Sequence, residues 1–233
     1  MPAACAEAPP PLRAAQVEKI TRLAELRALL EEKFPAAPEP TDGALLTGLT
    51  SLDTQGGLRQ GMLTELSSST GGSSLFVEAM LRATLRARSF LALIDCGRTF
   101  DPQGWDTAAL KRLLWVQSDS TENAVKAADL LLRDKNIEIV ILDFQSISKR
   151  NLQRIPANTW HRFQRLVEQT NTAFLILTPQ PIIDGARLRI AIRRRWALPV
   201  LRQRRRFLLE DLTLQVFRRT ALEGEPGEHH RIA

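Results

Sequence analysis

The feature that most constrains the fold is a series of short, continuously apolar segments separated by amphipathic helical patterns. The apolar segments are Phe90–Asp95, Leu113–Gln117, Ile137–Phe144 and Ala173–Thr178, and Met62–Leu66 is a shorter candidate of the same kind. Helical patterns cover 73–88, 106–112, 122–133 and 159–169. Strands that are apolar throughout are buried on both faces of a parallel sheet. The alternation predicts an α/β domain, with a mostly parallel sheet and helices on both faces.

The last third of the chain has a different pattern. Residues 187–219 are strongly basic, and 212–217 (LTLQVF) alternate strictly between apolar and polar side chains. Strict alternation is typical of a strand with one face in solvent. The pattern predicts basic antiparallel strands at the C-terminal edge of the sheet.

The N-terminal residues predict a helix outside the main domain. Residues 1–11 are rich in alanine and proline and predict a disordered lead. Residues 12–34 predict a helix, and 35–43 a linker that completes an N-terminal segment of 12–43. The remaining chain divides into a core domain, 44–219, and a polar tail, 220–233. Apolar side chains recur on one face of the helix and are predicted to dock on the domain or on a protein partner: Val17, Ile20, Leu23, Leu26 and Leu30.

Composition narrows the class of partner. The chain has 233 residues and a formal net charge of +6, carried mostly by arginine. Such a balance favours an anionic partner, because arginine forms bidentate contacts with phosphate and carboxylate groups. Two cysteines exclude a disulfide framework, and no Cys/His set has zinc spacing. No run of 18 apolar residues and no signal-peptide pattern occurs, so we expect a cytoplasmic protein without a membrane contact.

Residues 66–73, LSSSTGGS, lie where a phosphate-binding loop would lie, between a strand and a helix. The phosphate-loop pattern is G-x-x-x-x-G-K-[ST]. Gly71 and Ser73 match the second glycine and the hydroxyl, whereas Leu66 replaces the first glycine and Gly72 replaces the lysine. Half of this motif alone predicts nothing.

Three longer segments give the half-motif a context. Residues 47–66 (TGLTSLDTQGGLRQGMLTEL), 91–102 (LALIDCGRTFDP) and 123–148 resemble, in order and spacing, segments of the RecA recombinases around their nucleotide site. The resemblance extends to about Thr178. It implies a RecA-like core of the P-loop NTPase type.

The resemblance also implies that three nucleotide-site residues of the RecA recombinases are absent from this chain. The lysine that contacts the β- and γ-phosphates would stand at Gly72, the glutamate that activates water at Gly97, and a γ-phosphate-sensing glutamine near Pro179. Asp143 stands at the magnesium-orienting position, with Gly71 and Ser73 as remaining nucleotide contacts. We therefore expect a pseudo-ATPase with no catalytic residue, no resident cofactor and no metal. Weak binding of ATP and Mg²⁺ stays open, as does the alternative that the turn is only flexible and Asp143 only caps a turn.

Among RecA relatives, the chain resembles the ImuA family, whose members accompany error-prone polymerases in SOS mutagenesis. Residues 158–181 (NTWHRFQRLVEQTNTAFLILTPQP) are similar to that family's helix-strand segment. The resemblance implies an accessory role in translesion synthesis or in modulating recombination. Its implied partners are RecA or a RecA-type filament, translesion polymerase components, and DNA. A cell-division inhibitor of the SulA type and a DNA-dependent ATPase that uses another cation, such as Arg98, are the alternatives.

Two basic segments are the predicted DNA contacts. Residues 146–155 (SISKRNLQRI) correspond to a DNA-contacting loop of RecA and include Lys149 and Arg150; the second such loop, 180–187, is short here. The Arg block, residues 187–206, contains nine arginines and Trp196 but no acidic residue. Arginine interleaved with an aromatic favours single-stranded DNA, and an acidic protein surface or a solvated sheet edge are the alternatives. The predicted contacts in the Arg block are Arg193, Arg194, Arg195, Arg202, Arg204, Arg205 and Arg206.

Overall fold

A computed structural model of the protein describes residues 43–183 and 185–219. The predicted lead, N-terminal helix and tail, with Val17, Ile20, Leu23, Leu26 and Leu30, lie outside the described residues. The division of the chain into domains therefore stays a prediction. No helix in the described part of the chain is long and apolar enough to cross a membrane.

One seven-stranded sheet organises the described residues. Its strands have the order β5-β4-β6-β7-β3-β8-β9, and every neighbouring pair is parallel except β8 and β9. A short antiparallel pair, β1 and β2, precedes it. The strand bounds are β1 Ala44–Leu45, β2 Leu58–Arg59, β3 Met62–Ser68, β4 Leu91–Asp95, β5 Leu113–Gln117, β6 Ile139–Asp143, β7 Ala173–Thr178, β8 Leu188–Ile192 and β9 Leu214–Arg219. The predicted mostly parallel α/β sheet is confirmed.

Seven described α-helices connect or flank these strands. Local signals set their ends: the Ser120 side chain caps α4 by accepting a hydrogen bond from Asn123 N, and Arg88 ends α2 in the left-handed conformation. The helix bounds are α1 Thr50–Asp53, α2 Ser73–Ala87, α3 Thr107–Leu110, α4 Thr121–Asp134, α5 Lys149–Leu152, α6 Ala157–Val167 and α7 Arg205–Glu210.

Two apolar clusters lie on opposite faces of the sheet, because successive strand side chains point to opposite faces. In the first cluster, Phe76 and Met80 of α2 pack with strand residues such as Leu66. In the second, Phe163 of α6 packs edge-on against Phe174 of β7, at 5.3 Å between ring centroids. Helices therefore cover both faces of the sheet, as the apolar strand pattern predicts.

The C-terminal part departs from the prediction of strands throughout 187–219. β9 is the expected antiparallel edge strand, but residues 193–213 hold a 3₁₀ turn, Val200–Arg202, and the helix α7. Trp196, Leu208 and Leu212 of this stretch pack on the first apolar cluster, beside α2. Burying those side chains requires the chain to leave the sheet after β8. We call residues 193–204, between β8 and α7, the strap.

Candidate functional site

The carboxyl ends of the parallel strands bring the sequence-predicted residues to one edge of the sheet. Asp143 ends β6, the glycine turn follows β3, and Arg193 follows β8. In open α/β sheets, ligands bind outside this edge. Asp143 and the glycine turn are two strand positions apart, roughly 10 Å between strand axes.

The glycine turn, residues 68–73, is held by its own hydroxyl groups and by the strap. Ser68 Oγ donates a hydrogen bond to Gly71 O at 2.5 Å, and Thr70 Oγ1 donates to Arg194 O of the strap at 2.9 Å. Gly71 and Gly72 have φ of 87° and 90°. Non-glycine residues rarely adopt this left-handed backbone. α2 begins directly after Gly72, at Ser73.

The indole ring of Trp196 lies against Gly72. A Cβ atom on Gly72 would lie 2.8 Å from two ring carbons of Trp196 and 3.4 Å from Ile192 Cγ2. Gly72 is the position at which the RecA resemblance places the phosphate-binding lysine. Trp196 thus occupies the space that a side chain at this position would need.

A second glycine, Gly97, stands against Ser146. A Cβ atom on Gly97 would lie 1.8 Å from Ser146 Oγ and 2.9 Å from Ser146 Cβ. Gly97 is the position at which the resemblance places the water-activating glutamate. Ser146, in the loop after β6, therefore fills the beginning of the path that such a side chain would take.

Asp95 and Asp143 end adjacent strands beneath the Gly97 turn. Asp95 is fully buried, and its carboxylate accepts hydrogen bonds from Thr99 N at 3.0 Å and Phe100 N at 3.1 Å, which fixes the turn. Burial, and secondarily the charge of Asp95, raises the pKa of Asp143 to about 6. Burial, with a smaller contribution from the nearby charges of Asp95 and Asp143, also raises the pKa of the Cys96 thiol to about 11. In the described part of the chain, no group of three or more His, Cys, Asp or Glu side chains could hold a metal ion.

Most of the predicted DNA contacts are exposed. Lys149 and Arg150 follow β6, whereas the strap follows β8 three strand positions away, roughly 14 Å between strand axes. Arg194 also forms an ion pair with Asp211 at 2.5 Å. The exposed predicted residues are Lys149, Arg150, Arg193, Arg194, Arg195, Arg202, Arg204 and Arg206.

Arg205 differs from the other predicted arginines. Its Nε lies 2.6 Å from the carboxylate of Glu78, a buried residue of α2, and its guanidinium stacks on the Trp105 ring at 5.0 Å. Arg82 contacts the same carboxylate at 2.7 Å. These contacts attach Arg205, the first residue of α7, to α2. Its role as a DNA contact stays a prediction.

Sequence reasoning missed a second buried ion pair, between Glu65 of β3 and Arg189 of β8. Glu65 is 1% exposed, and its Oε2 lies 3.3 Å from Arg189 Nε. Its Oε1 accepts hydrogen bonds from Ile182 N at 2.6 Å and Ile183 N at 3.0 Å. The pair fixes the short loop after β7. A carboxylate within the otherwise largely apolar strand Met62–Leu66 was the available signal.

Comparison with known proteins agrees with the fold. The chain is 33% identical to Protein RecA of Acidothermus cellulolyticus over 139 residues, 55% of the chain and 38% of that protein. It is 32% identical to Protein RecA of Clavibacter michiganensis over 120 residues, 48% of the chain and 31% of that protein. The chain thus spans about a third of the length of the curated relatives it matches. No family model matches the chain. The sheet and this similarity support a place in the RecA-like superfamily.

Proposed function

We propose that the protein is a RecA-like accessory factor in DNA repair or recombination that binds DNA and protein partners but does not hydrolyse ATP. The observation that carries the proposal is the filling of two catalytic positions by the chain's own side chains. Trp196 lies against Gly72, and Ser146 lies against Gly97. Phosphoryl transfer depends on positioned cations and a positioned water. Removing one such charge costs roughly a thousandfold or more in rate, so loss of both groups leaves no useful turnover.

DNA binding is supported by the exposed basic side chains along the carboxyl edge. Arg193, Arg194 and Arg195 follow β8 at this edge, and Lys149 and Arg150 follow β6. The other three exposed arginines of the Arg block lie farther along the strap and in α7: Arg202, Arg204 and Arg206. Contacts of this kind to phosphates are independent of sequence and weaken steeply with salt. The exposed aromatic and apolar side chains among them suit single-stranded DNA, whose bases are free to stack.

The protein partners in the proposal rest on the resemblance to the ImuA family. They are RecA or a RecA-type filament and translesion polymerase components, with the helix predicted at 12–34 as the contact. A SulA-type inhibitor would use protein contacts alone, without DNA. A DNA-binding measurement on the full chain therefore separates these two proposals.

ATP turnover is the direct test of the pseudo-ATPase proposal. Purified protein, with Mg²⁺ and with and without single-stranded DNA, is expected to release phosphate at the rate of a blank. Protein RecA assayed alongside verifies the assay. Calorimetry with ATP then measures binding without turnover. DNA-stimulated turnover that is lost in Asp143→Ala would refute the proposal and favour a rescuing cation such as Arg98.

DNA binding is tested by fluorescence anisotropy with a labelled single-stranded oligonucleotide at several salt concentrations. The variant Arg193→Gln/Arg195→Gln removes two exposed charges from the strap. The slope of log K against log salt is negative, and each lost phosphate contact makes it less steep by roughly 0.7, so we expect its magnitude to fall by about 1.4.

The matched control is Arg88→Gln/Arg165→Gln, which removes two exposed charges at the opposite edge of the sheet. The side chain of Gln164, the residue before Arg165, accepts a hydrogen bond from Leu63 N at the start of β3. This contact places Arg165 near the amino ends of the parallel strands, away from the strap. The control is expected to keep the wild-type slope. Equal slopes for both variants would exclude the carboxyl edge as the DNA surface.

A further inference from the structure

A small cavity lies where β3, β8 and β9 meet the loop after β7. Its volume is about 250 Å³, below the roughly 300–1,000 Å³ of sites for drug-sized ligands. Its polar lining comes from Glu65, Ser67 and Arg189, and its apolar lining includes Pro181 and Phe217. Such a cavity suits a single planar group with one polar edge.

The floor of the cavity holds a buried polar atom with unused bonding capacity. Glu65 Oε2 accepts no hydrogen bond from the described residues, although it lies 3.3 Å from Arg189 Nε in an ion pair. Buried acceptors in folded proteins are nearly always hydrogen-bonded. An acceptor left in this state, at a cavity with a hydroxyl and a guanidinium, points to a ligand with polar hydrogens.

Phe217 stands at the mouth of the cavity in an unusual place. β8 and β9 pair Arg189 with Arg218 and Ile190 with Val216, so Phe217 is the extra residue of a β-bulge. Bulges redirect side chains and are enriched beside functional sites. Phe217 is 50% exposed, and the guanidinium of Arg193 lies over its ring at 5.0 Å. An exposed ring beside an arginine of the strap is a stacking surface on the path proposed for the DNA backbone.

We infer that this cavity, with Phe217, Arg193 and Glu65, holds one unpaired nucleobase of a single DNA strand. The inference rests on the proposed DNA binding and adds to the phosphate contacts of the Arg block a base-stacking site that includes Phe217 of β9 and Glu65 of β3. The base stacks on Phe217 beside Arg193 while its polar edge faces Ser67 and the Glu65–Arg189 pair. Stacking of a base on an aromatic side chain strengthens binding by about 5- to 150-fold without demanding a particular sequence.

Anisotropy with two ligands separates this site from simple phosphate binding. One ligand is a labelled single-stranded oligonucleotide, and the other is an abasic chain of the same length with the same number of phosphates. The full chain is expected to bind the base-bearing strand at least about 5-fold more tightly. Phe217→Leu is expected to lose most of this preference and to keep its affinity for the abasic chain.

The matched control is Phe90→Leu. Phe90 is 43% exposed and stacks with Arg112 at 5.5 Å, but it precedes β4 at the opposite edge of the sheet. This variant is expected to keep the wild-type preference. Photo-cross-linking with an oligonucleotide that carries 5-bromodeoxyuridine is expected to label the peptide containing Phe217.

The outcomes distinguish the two proposals. If the wild-type protein binds the abasic and base-bearing strands equally, or if Phe217→Leu weakens both equally, the nucleobase site is wrong and the phosphate-binding edge stands. If the wild-type protein binds neither strand, both proposals fail. Cross-links that leave the Phe217 peptide unlabelled would also overturn the site.

Discussion

Two glycine turns at the same edge of the sheet, at Gly72 and Gly97, exclude a larger side chain in different ways. At Gly72, a left-handed backbone and the Trp196 ring both oppose a side chain. Gly97 is not among the described residues with positive φ, and a Cβ atom there meets mainly the small side chain of Ser146, with Thr99 Cγ2 at 3.4 Å. A side chain at Gly72 is therefore opposed both by the backbone and by a distant segment of the chain. A side chain at Gly97 is opposed mainly by one serine.

The largest expected effect on stability comes from placing a lysine at Gly72. Gly72→Lys combines a strained backbone with a contact of 2.8 Å to Trp196. We expect the free energy of unfolding to fall by about 2–4 kcal/mol, measured by urea denaturation. Because Trp196 also packs on the first apolar cluster, the clash is isolated by a double-mutant cycle: in a Trp196→Ala background, Gly72→Lys should lose the part of its cost due to the clash and keep the part due to the backbone. A Gly72→Lys variant as stable as the wild type would remove the contrast between the two turns.

The next effect concerns Asp143, beneath the Gly97 turn. Its pKa is raised from 3.8 to about 6, so the folded state holds the proton more tightly than the unfolded chain. Stability therefore decreases as the pH rises through this interval, and above about pH 6 the full cost of the buried charge is present. Asp143→Asn is expected to raise the free energy of unfolding by about 2 kcal/mol at pH 7.5 and to change little near pH 4.

Urea denaturation at the two pH values checks this prediction. Asp134→Asn, an exposed aspartate at the end of α4, is the control and should leave the pH profile as it is. A loss of stability in Asp143→Asn at pH 7.5 would mean that the ionised carboxylate contributes to this turn.

The third effect tests the attachment of the strap that covers Gly72. Arg205→Gln removes the contact of Arg205 with the buried Glu78 carboxylate, although Arg82 still pairs with that group. We expect the free energy of unfolding to fall by about 1–2 kcal/mol, since a buried charge loses part of its compensation. The neighbouring exposed Arg206→Gln is the control, with a change within about 0.5 kcal/mol. Equal effects of the two changes, measured by thermal or urea unfolding, would show that Arg205 is not the anchor.

The smallest expected effect on stability comes from placing a glutamate at Gly97. Gly97→Glu requires Ser146 to shift, and we expect a loss of about 1 kcal/mol in the free energy of unfolding. Ser146→Gly in the same chain should recover most of this loss, because it removes both atoms in the way. Lack of recovery in the double variant, compared by urea denaturation, would mean that the Gly97 turn is closed by more than Ser146.

Much of the sheet could be predicted because its signals are local. Leu113–Gln117 and Ala173–Thr178 have the predicted bounds, and the antiparallel edge at β9 follows from alternation in 212–217. The stretch 193–213 could not be predicted in the same way. Its arginines suggest a solvated strand, but burial of Trp196 and Leu208 against α2 outweighs that local pattern.

Residue type and short-range periodicity are enough to predict the α/β layering and the basic character of the C-terminal part, whereas the absence of a lysine at Gly72 and of a glutamate at Gly97 is implied only by the resemblance to the RecA recombinases. The packing of distant segments decides which side chains lie against Gly72 and Gly97. Trp196 reaches Gly72 across more than a hundred residues of chain, and Ser146 reaches Gly97 from the end of another strand. It also decided that Arg205 serves the fold while its neighbours face solvent. Such contacts arise only when parallel strands end at one edge and bring distant segments together, so no local pattern encodes them.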